Sequence, residues 1–206
     1  MKNVVLFDFD GVIVDSFEMS YQVASEFHPG LTREAQKAFF EGNIYEEVER
    51  QTGKSITQDD DRAFFEKYIP QLMNLSPVAG ISGTLENLKN FYALVVVSST
   101  ISSPIAEYLS KHNLVHYFDE IMGGELDRSK VKKIKMVLGK YATGPEQAVF
   151  VTDTLGDMRE ATKCGVRSIG VTWGFHERER LQKGNPAMII ETPQALPGAI
   201  QTVLQI

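Results

Sequence analysis

Short, uninterrupted runs of apolar residues recur along this chain, and they constrain its fold more than any other feature. Between the later runs lie segments of ten or more residues with apolar side chains at helical spacing. Continuous apolar strands that are separated by helices are typical of a parallel sheet covered on both faces. The sequence therefore predicts an α/β fold, a Rossmann-like parallel sheet with helices on both faces. The candidate strands are Val4–Phe7, Leu94–Val97, Ala148–Val151, Ser168–Val171 and, more weakly, Glu120–Met122.

The interval after the first run breaks this rhythm. No convincing strand lies between residues 16 and 93, although a crossover between parallel strands needs only about a dozen residues. The interval contains three or four helical patterns, among them Phe17–Phe27 and one that begins at Asp59–Asp61. We therefore predict an α/β core formed by residues 1–15 and 81–206, with residues 16–80 inserted as an all-helical cap domain. This cap either has a packing role alone or covers whatever the strand ends carry.

Length, charge and cysteine content narrow the class of protein. A chain of 206 residues can form one core with a small accessory domain. Its net charge of −6 disfavours binding to nucleic acid or to an anionic membrane surface. The first apolar run is cut by Asp8 and Asp10, and no apolar run is long enough for a membrane span, so neither a signal peptide nor a span is predicted. The single cysteine, Cys164, suits a reducing compartment, and we expect a cytoplasmic monomer or homodimer.

The first apolar run ends in two acids that are one residue apart, Asp8 and Asp10. In an extended chain, residues i and i+2 project to the same side, so both carboxyl groups should leave the end of this strand together. Ligands of open α/β sheets bind at that end. Aspartate and glycine also form tight turns, and the pair alone leaves both interpretations open.

A second pair of acids follows the run Ala148–Val151. Asp153 ends that strand, and Asp157 lies on neighbouring surface if a helix begins between them. Two adjacent strands would then bring four carboxylates together, and unit charges about 4 Å apart repel by about 4 kcal/mol at an effective dielectric constant of about 20. A cation must therefore lie among them. Oxygen ligands of this kind fit Mg²⁺, which prefers one or two carboxylates, water and a substrate phosphate.

Two serines, Ser98 and Ser99, follow the run Leu94–Val97. We expect a helix to begin near Pro104, so the serine hydroxyl groups and nearby backbone N–H groups would form an anion site before a helix N-terminus. The alternative is that these serines only cap the helix.

The segment from Arg128 to Tyr141 carries its apolar residues on one helical face. At about 100° per residue they define an arc about 120° wide, and Lys130 falls inside it. A lysine that faces the core is rare unless it is paired, and the clustered aspartates are the available partners. Lys132 points the opposite way. We expect a solvated face that includes Lys132, Lys133, Lys135 and Lys140.

Together these motifs resemble the haloacid dehalogenase superfamily of phosphohydrolases, especially its phosphoglycolate phosphatase-like branch with a small helical cap. The segment DFDGVIVDS is similar to the nucleophile motif, Ser98 to the phosphate-binding Ser or Thr, Lys130 to the bridging lysine, and DTLGD to the metal motif. The motifs occur in the family's order, whereas the cap resembles the branch only in size, position and helical character. Ser99 and Thr152 depart from the residues common in relatives, and we expect both to act through backbone geometry.

The resemblance implies a mechanism. Asp8 would attack phosphorus and form an aspartyl-phosphate, and Asp10 would protonate the leaving oxygen and then activate water. Mg²⁺ would be held by Asp8, the Asp10 backbone carbonyl and Asp153, with Asp157 supporting the metal through water. The implied phosphate-binding residues are Ser98, Ser99 and Lys130.

The resemblance therefore implies a Mg²⁺-dependent phosphomonoester hydrolase that acts on a small phosphorylated metabolite. A sugar phosphomutase of the same superfamily, similar to β-phosphoglucomutase, is the nearest alternative, because it uses the same motifs but returns the phosphoryl group to the substrate. A binding or regulatory protein without turnover is a third interpretation, and four chemically competent motifs argue against it.

Overall fold

A computed structural model describes residues 3–205 and confirms the predicted α/β fold. The strands are β1 (Val4–Phe7), β2 (Ala93–Val97), β3 (Glu120–Met122), β4 (Ala148–Thr152), β5 (Arg167–Val171) and β6 (Met188–Ile190). Within the described residues they form one parallel sheet in the order β3-β2-β1-β4-β5-β6. Five strands coincide with the predicted runs to within one residue. The sequence pattern did not predict β6, because three edge residues, two of them half-buried, are too few to form a recognisable run.

Helices cover both faces of the sheet, as the continuous apolar strands predicted. They are α1 (Phe17–Phe27), α2 (Arg33–Phe39), α3 (Ile44–Thr52), α4 (Gln58–Leu72), α5 (Ile81–Lys89), α6 (Ser102–Lys111), α7 (Lys130–Lys140), α8 (Leu155–Lys163), α9 (Arg178–Gln182) and α10 (Leu196–Leu204). Val5 and Phe7 of β1 share a hydrophobic cluster with α5, α6 and α10, whereas Val4 and Leu6 share the opposite cluster with α7 and α8. Burial on both faces explains why β1 is apolar at every position. Among residues 3–205, no helix combines the length and the apolar character needed to span a bilayer.

Four helices, α1 to α4, lie between β1 and α5 and form the cap. Helix α4 begins with a capping box, in which the Asp60 backbone N–H donates to the Thr57 hydroxyl and the Thr57 N–H donates to the Asp60 carboxylate at 2.9 Å. The acidic first turn also suits the positive end of the helix dipole. Packing of α4 against α1 buries Tyr68 and Leu72 beside the core.

The two linkers that join the cap to the core lie side by side. Val14 forms an antiparallel bridge with Pro77, and the Val78 backbone N–H donates to the Ile13 carbonyl at 2.9 Å. We propose the boundaries given by the sequence, with residues 1–15 and 81–206 as the core and residues 16–80 as the cap. Residues 1, 2 and 206 of that core lie outside the described residues.

Strand β1 is where the order of the sheet reverses. The chain leads from β1 to β2 on one side and later returns to β4 on the other, so a crevice opens beyond the carboxyl ends of β1 and β4. The Asp8 backbone N–H donates to the Val151 carbonyl at 2.9 Å and extends the pairing of these strands to their ends. The two predicted acid pairs begin directly after these strand ends, at Asp8 and at Asp153.

Candidate active site

The carboxyl end of β1 places Asp8 at the floor of the crevice. Asp8 is 5% exposed; its Oδ1 accepts a hydrogen bond from the Phe9 backbone N–H at 2.7 Å, and its Oδ2 lies 2.8 Å from Lys130 Nζ. Burial raises the pKa of Asp8 well above its ordinary value, and the Lys130 ammonium opposes the rise. Phe9 is buried and packs edge-on against Tyr108, so Asp8 and Asp10 face the crevice while the residue between them anchors the loop.

Three hydroxyl groups hold the second acid, Asp10. Ser16 donates to its Oδ1 at 2.6 Å, Thr100 donates to its Oδ2 at 2.8 Å, and Tyr68 of the cap also donates to Oδ1. Burial and the Asp10 carboxylate raise the pKa of Tyr68, so its phenol stays protonated and remains a donor. The sequence motifs did not predict a role for Thr100 or Tyr68. Tyr68 lies within the helical pattern that begins at Asp59–Asp61, and such a pattern does not mark a hydroxyl donor, although a buried tyrosine hydroxyl normally requires a partner.

Ser98 and Ser99 follow β2 and line the same crevice. Ser98 is buried, its hydroxyl accepts a hydrogen bond from the Thr100 backbone N–H at 3.0 Å, and its own N–H donates to the Met122 carbonyl. Helix α6 begins two residues after Thr100, at Ser102, slightly earlier than the predicted start near Pro104. The loop therefore lies before a helix N-terminus, as predicted for an anion site.

Lys130 is the first residue of α7, and its side chain points into the crevice floor. The residue is 4% exposed, and Nζ lies 2.8 Å from Asp8 Oδ2 and 2.7 Å from Asp157 Oδ2. Burial alone would lower the pKa of Lys130, but the two carboxylates outweigh burial and raise it above its ordinary value. The predicted inward direction of this side chain is correct. Lys130 joins the acid of β1 to the acid pair after β4.

Lys133 corrects the prediction of a solvated lysine face. It is 0% exposed, and its Nζ donates to the carbonyl groups of Ser98 at 2.5 Å and Gly123 at 3.3 Å. The buried residues of α7 are Lys130, Lys133, Ile134 and Val137, so the buried face is centred about 50° from the centre of the apolar arc. The apolar residues alone misplaced the centre of the buried face, because part of that face packs against the backbone carbonyl groups of two loops. These carbonyl groups favour a cation over an alkyl side chain. Burial and the neighbouring Lys130 lower the pKa of Lys133 to about 8.

The second acid pair follows β4. Asp157 Oδ2 accepts hydrogen bonds from Lys130 and from the Thr152 hydroxyl at 2.7 Å. Burial favours a higher pKa for Asp157, but the Lys130 charge together with the hydrogen bonds to this carboxylate lowers that pKa. The Thr152 contact corrects the expectation that this residue acts mainly through its backbone, because its side chain holds the carboxylate that holds Lys130.

Asp153 is fully buried at the end of β4. Its Oδ2 accepts a hydrogen bond from the Phe175 backbone N–H at 2.7 Å, whereas its buried Oδ1 has no hydrogen-bond partner among residues 3–205. Burial raises the pKa of Asp153 to about 8. Gly11 makes room for this carboxylate, because a Cβ at that position would lie 1.9 Å from Asp153 Oδ2, and its φ of 73° is itself one that glycine adopts readily.

The carboxylates fit a metal that takes few protein ligands. In the part of the chain that the structure describes, no group of three or more His, Cys, Asp or Glu side chains is arranged as a metal cluster. Asp8 and Asp153 nevertheless lie close enough to influence each other electrostatically, and the unpartnered Asp153 Oδ1 is a buried oxygen ligand without a donor. Mg²⁺ commonly binds to one or two carboxylates and keeps several waters, so this donor set suits it.

Comparison with known proteins identifies the family. The family model described as haloacid dehalogenase-like hydrolase matches residues 5–171. The chain belongs to the haloacid dehalogenase-like hydrolases. A probable phosphatase IndB of Dickeya dadantii is 25% identical over all of this chain and 96% of its own length. A phosphoglycolate phosphatase of Haemophilus influenzae is 26% identical over 90% of this chain and 92% of its own.

Solved structures share the fold. A haloacid dehalogenase-like family hydrolase from Streptococcus pneumoniae superposes with a TM-score of 0.79 at 22% identity, over 97% of this chain and 99% of that one. This likeness confirms the fold. The prediction of an enzyme, a phosphatase of the haloacid dehalogenase superfamily, is confirmed by the family match together with relatives named as phosphatases.

In this hydrolase the loop after β5 joins the acid pair that follows β4 to the cap. Phe175 packs edge-on against Phe17 and Phe40 of the cap, while its backbone N–H binds Asp153. His176 is fully buried; its Nδ1 accepts from the Leu155 backbone N–H at 3.0 Å, and its Nε2 lies 2.9 Å from the Lys37 carbonyl of the cap. The sequence analysis assigned no role to His176, since a lone histidine carries no spacing signal.

The cap of this hydrolase is closed over the site. Asn43 donates to the Arg128 carbonyl at 3.0 Å, and the Gly156 N–H donates to the Phe40 carbonyl at 2.9 Å. Between cap and core lies a cavity of about 1130 Å³. Its floor contains six of the predicted site residues, namely Asp8, Asp10, Ser98, Ser99, Lys130 and Asp157, whereas Asp153 lies buried behind it.

Proposed function

We propose that this hydrolase is a Mg²⁺-dependent phosphomonoesterase that acts on a small phosphorylated metabolite through an aspartyl-phosphate intermediate. The observation that carries the proposal is the buried contact between Lys130 Nζ and Asp8 Oδ2 at 2.8 Å, at the floor of a cavity that can enclose a small ester. Asp10 faces the same cavity and is positioned by three hydroxyl groups. A nucleophile, a cation and a proton carrier thus share one site.

Asp8 supplies the nucleophile. One of its carboxylate oxygens forms a bond to phosphorus while the bond between phosphorus and the ester oxygen breaks. Burial favours the protonated form of Asp8, so an adjacent cation is needed to keep it ionised, and Lys130 is one such cation. An ammonium group has three N–H donors; two reach Asp8 and Asp157, and the third is available for a phosphate oxygen. Ser98 and Ser99 bind the remaining phosphate oxygens.

Asp10 moves the protons. Its protonated carboxyl group donates a proton to the leaving oxygen, so the alcohol departs neutral. Water then attacks phosphorus and gives a proton to the Asp10 carboxylate, while the bond to Asp8 breaks and inorganic phosphate is released. Ser16, Tyr68 and Thr100 hold Asp10 in one orientation through both half-reactions, because each hydroxyl can donate or accept a hydrogen bond.

The residues that would hold Mg²⁺ are Asp8, the backbone carbonyl of Asp10 and Asp153, with Asp157 acting through water. The buried, unpartnered Oδ1 of Asp153 supports this assignment. When bound, the metal offsets negative charge on the transferring phosphoryl group. Asp157 is already paired with Lys130. Its carboxylate therefore positions the lysine and contributes to metal binding only indirectly.

The proposal is tested by phosphate release from p-nitrophenyl phosphate. Activity should require Mg²⁺, disappear in EDTA, return when Mg²⁺ is added in excess of EDTA, and be inhibited by Ca²⁺. Calcium accepts more ligands at longer distances, so both Asp8 oxygens could bind it and attack would be misdirected. Full activity in EDTA, with metal analysis showing no retained ion, would contradict the mechanism.

Incubation with a hexose 1-phosphate separates the phosphatase from the phosphomutase alternative. The proposed reaction releases inorganic phosphate, whereas a mutase produces the hexose 6-phosphate.

We also propose a cytoplasmic location, because the single cysteine of the chain, Cys164, is a free thiol and suits a reducing compartment. Sedimentation of the pure protein would distinguish a monomer from a homodimer.

A further inference from the structure

The cap side of the cavity contains a buried polar side chain, Gln36. It is 3% exposed, lines the cavity, and is the single fully buried residue that the structure describes on α2. Its Nε2 donates to the Ser20 hydroxyl at 3.1 Å, whereas its Oε1 is buried without a hydrogen-bond partner among the described residues. Leaving such an acceptor unsatisfied is costly, and a substrate in the cavity that Gln36 lines is an available source of the missing donor.

The position of Gln36 relative to Asp10 indicates which part of a substrate would supply that donor. Ser16, which directly precedes α1, and Ser20 lie one turn apart, and the Ser20 N–H donates to the Ser16 carbonyl at 2.8 Å. Ser16 binds Asp10, and Ser20 binds Gln36. The two serines that contact the proton carrier and the amide are therefore separated by about one helical turn, roughly 5.4 Å along the axis. A substrate whose ester oxygen lies at Asp10 would reach Gln36 with a donor a few bonds farther along the alcohol.

The charges around the cavity give a second constraint on the leaving alcohol of the substrate. The basic side chains near the cavity are Lys130, which is paired with Asp8 and Asp157, and, among the other described lining residues, the exposed Lys54 and His28. Three further carboxylates also line it: Asp61, which is paired with Arg128 at 2.7 Å, and Asp60 and Glu160, which have no ion pair among the described residues. These carboxylates would repel a second anionic group on the substrate, and no buried cation is left to pair with it among the described lining residues.

We propose that Gln36 is a specificity-determining residue that accepts a hydrogen bond from a hydroxyl group of the leaving alcohol, and that the preferred substrates are phosphomonoesters of uncharged, hydroxylated alcohols. This inference rests on the proposed phosphomonoesterase function. It assigns the floor of the cavity to the phosphoryl group and the wall formed by α1, α2 and α4 to a neutral polyol or sugar. Phosphoglycolate, whose alcohol carries a carboxylate, is a poor substrate on this assignment.

The test compares kcat/KM for glycerol 1-phosphate, its deoxy analogue propyl phosphate, and phosphoglycolate, with p-nitrophenyl phosphate as the reference ester. The wild-type protein should prefer glycerol 1-phosphate to propyl phosphate by about tenfold or more, since binding the deoxy analogue leaves the amide unpaired. Gln36→Leu should reduce that ratio towards one. The ratio is used because a loss of folded protein lowers both rates equally. Gln22→Leu, the same change at an exposed glutamine of α1, should keep the wild-type ratio.

Each outcome decides the inference. Hydrolysis of p-nitrophenyl phosphate with no preference for the hydroxylated ester, or with phosphoglycolate as the best substrate, would overturn the role of Gln36 and leave the phosphatase function standing. An unchanged ratio in Gln36→Leu would do the same. If the leucine variant fails to fold, Gln36→Met, which keeps the unbranched chain, takes its place. Absence of any Mg²⁺-dependent hydrolysis would instead overturn the proposed function itself.

Discussion

The floor and the cap wall of the cavity are built on different principles. At the floor, buried charges are paired directly: Lys130 lies within 2.8 Å of both Asp8 and Asp157. On the wall, the buried polar groups are neutral ones such as Gln36 and Tyr68, and ion pairs of the cap such as Arg33 with Glu18 are exposed to solvent. A buried pair fixes its partners because breaking it strands a charge, whereas a neutral wall can vary at small cost. The floor is thus suited to one reaction and the wall to choosing the substrate.

The largest effect should follow from removing the nucleophile at the floor. Asp8→Asn should abolish phosphate release from every ester, with a loss of about 10⁴-fold or more, because the amide cannot form the covalent intermediate. Asp15→Asn changes an exposed acid in the same loop and serves as the control. Turnover that survives in Asp8→Asn for any substrate would break the distinction between floor and wall.

Lys130→Met should also reduce activity on all substrates by a similar factor. Removal of the ammonium leaves Asp8 and Asp157 without their shared cation, and a loss of about 2–4 kcal/mol of transition-state stabilisation is expected by comparison with other electrostatic deletions. The matched control is Lys132→Met, since Lys132 is two residues away on the same helix and largely exposed beside Asp127. Steady-state kinetics on two esters should show the same relative loss of kcat/KM for both. A change in substrate preference would instead assign Lys130 to the wall.

Asp10 lies where the floor meets the wall, and its variant should depend on the substrate. Asp10→Asn should lower kcat/KM for an alkyl phosphate by about 10²-fold or more, because a poor leaving group needs its proton. The loss for p-nitrophenyl phosphate should be smaller, since nitrophenolate leaves without protonation. Equal losses for both esters would contradict the assigned role.

Lys133 should influence stability, with a defined dependence on pH. Its pKa in the folded protein is lowered to about 8 from an ordinary value of 10.5, so the unfolded chain binds more protons between these values and stability rises with pH across that window. The gain in wild type relative to Lys133→Met between pH 7 and pH 10 is expected to be up to about 3 kcal/mol. Urea unfolding of both proteins measures this difference. A difference in stability that stays constant across the window would show that Lys133 is not held in a buried site.

The sequence predicted the floor well because each of its parts leaves a local mark. Strands β1, β2 and β4 end in acids or serines, and parallel strands must bring those ends to one edge. The crevice accordingly brings Asp8, Asp10, Ser98 and Lys130 together. The catalytic roles assigned to them stay predictions until the variants are measured.

The sequence was less informative wherever a polar side chain binds a backbone group or contacts an element that is distant in the chain. Lys133 binds two carbonyl groups from separate loops, and Thr152 binds an acid in the first turn of α8, so neither has a periodic signature. Tyr68 and Gln36 reach the cavity only because α2 and α4 fold back over β1. Helical periodicity places such residues on a face, but it does not say what that face meets.

The central position of β1 bears on how the chain folds as it is synthesised. Val4 pairs with Ala93 on one side and with Ala148 on the other, so the first strand made stays without its partners until much of the chain has followed. Contacts within the cap, such as α1 with α4, join residues that emerge close together. Local contacts form faster than distant ones. The cap is therefore able to assemble early, while the site proposed for the chemistry must wait for β4.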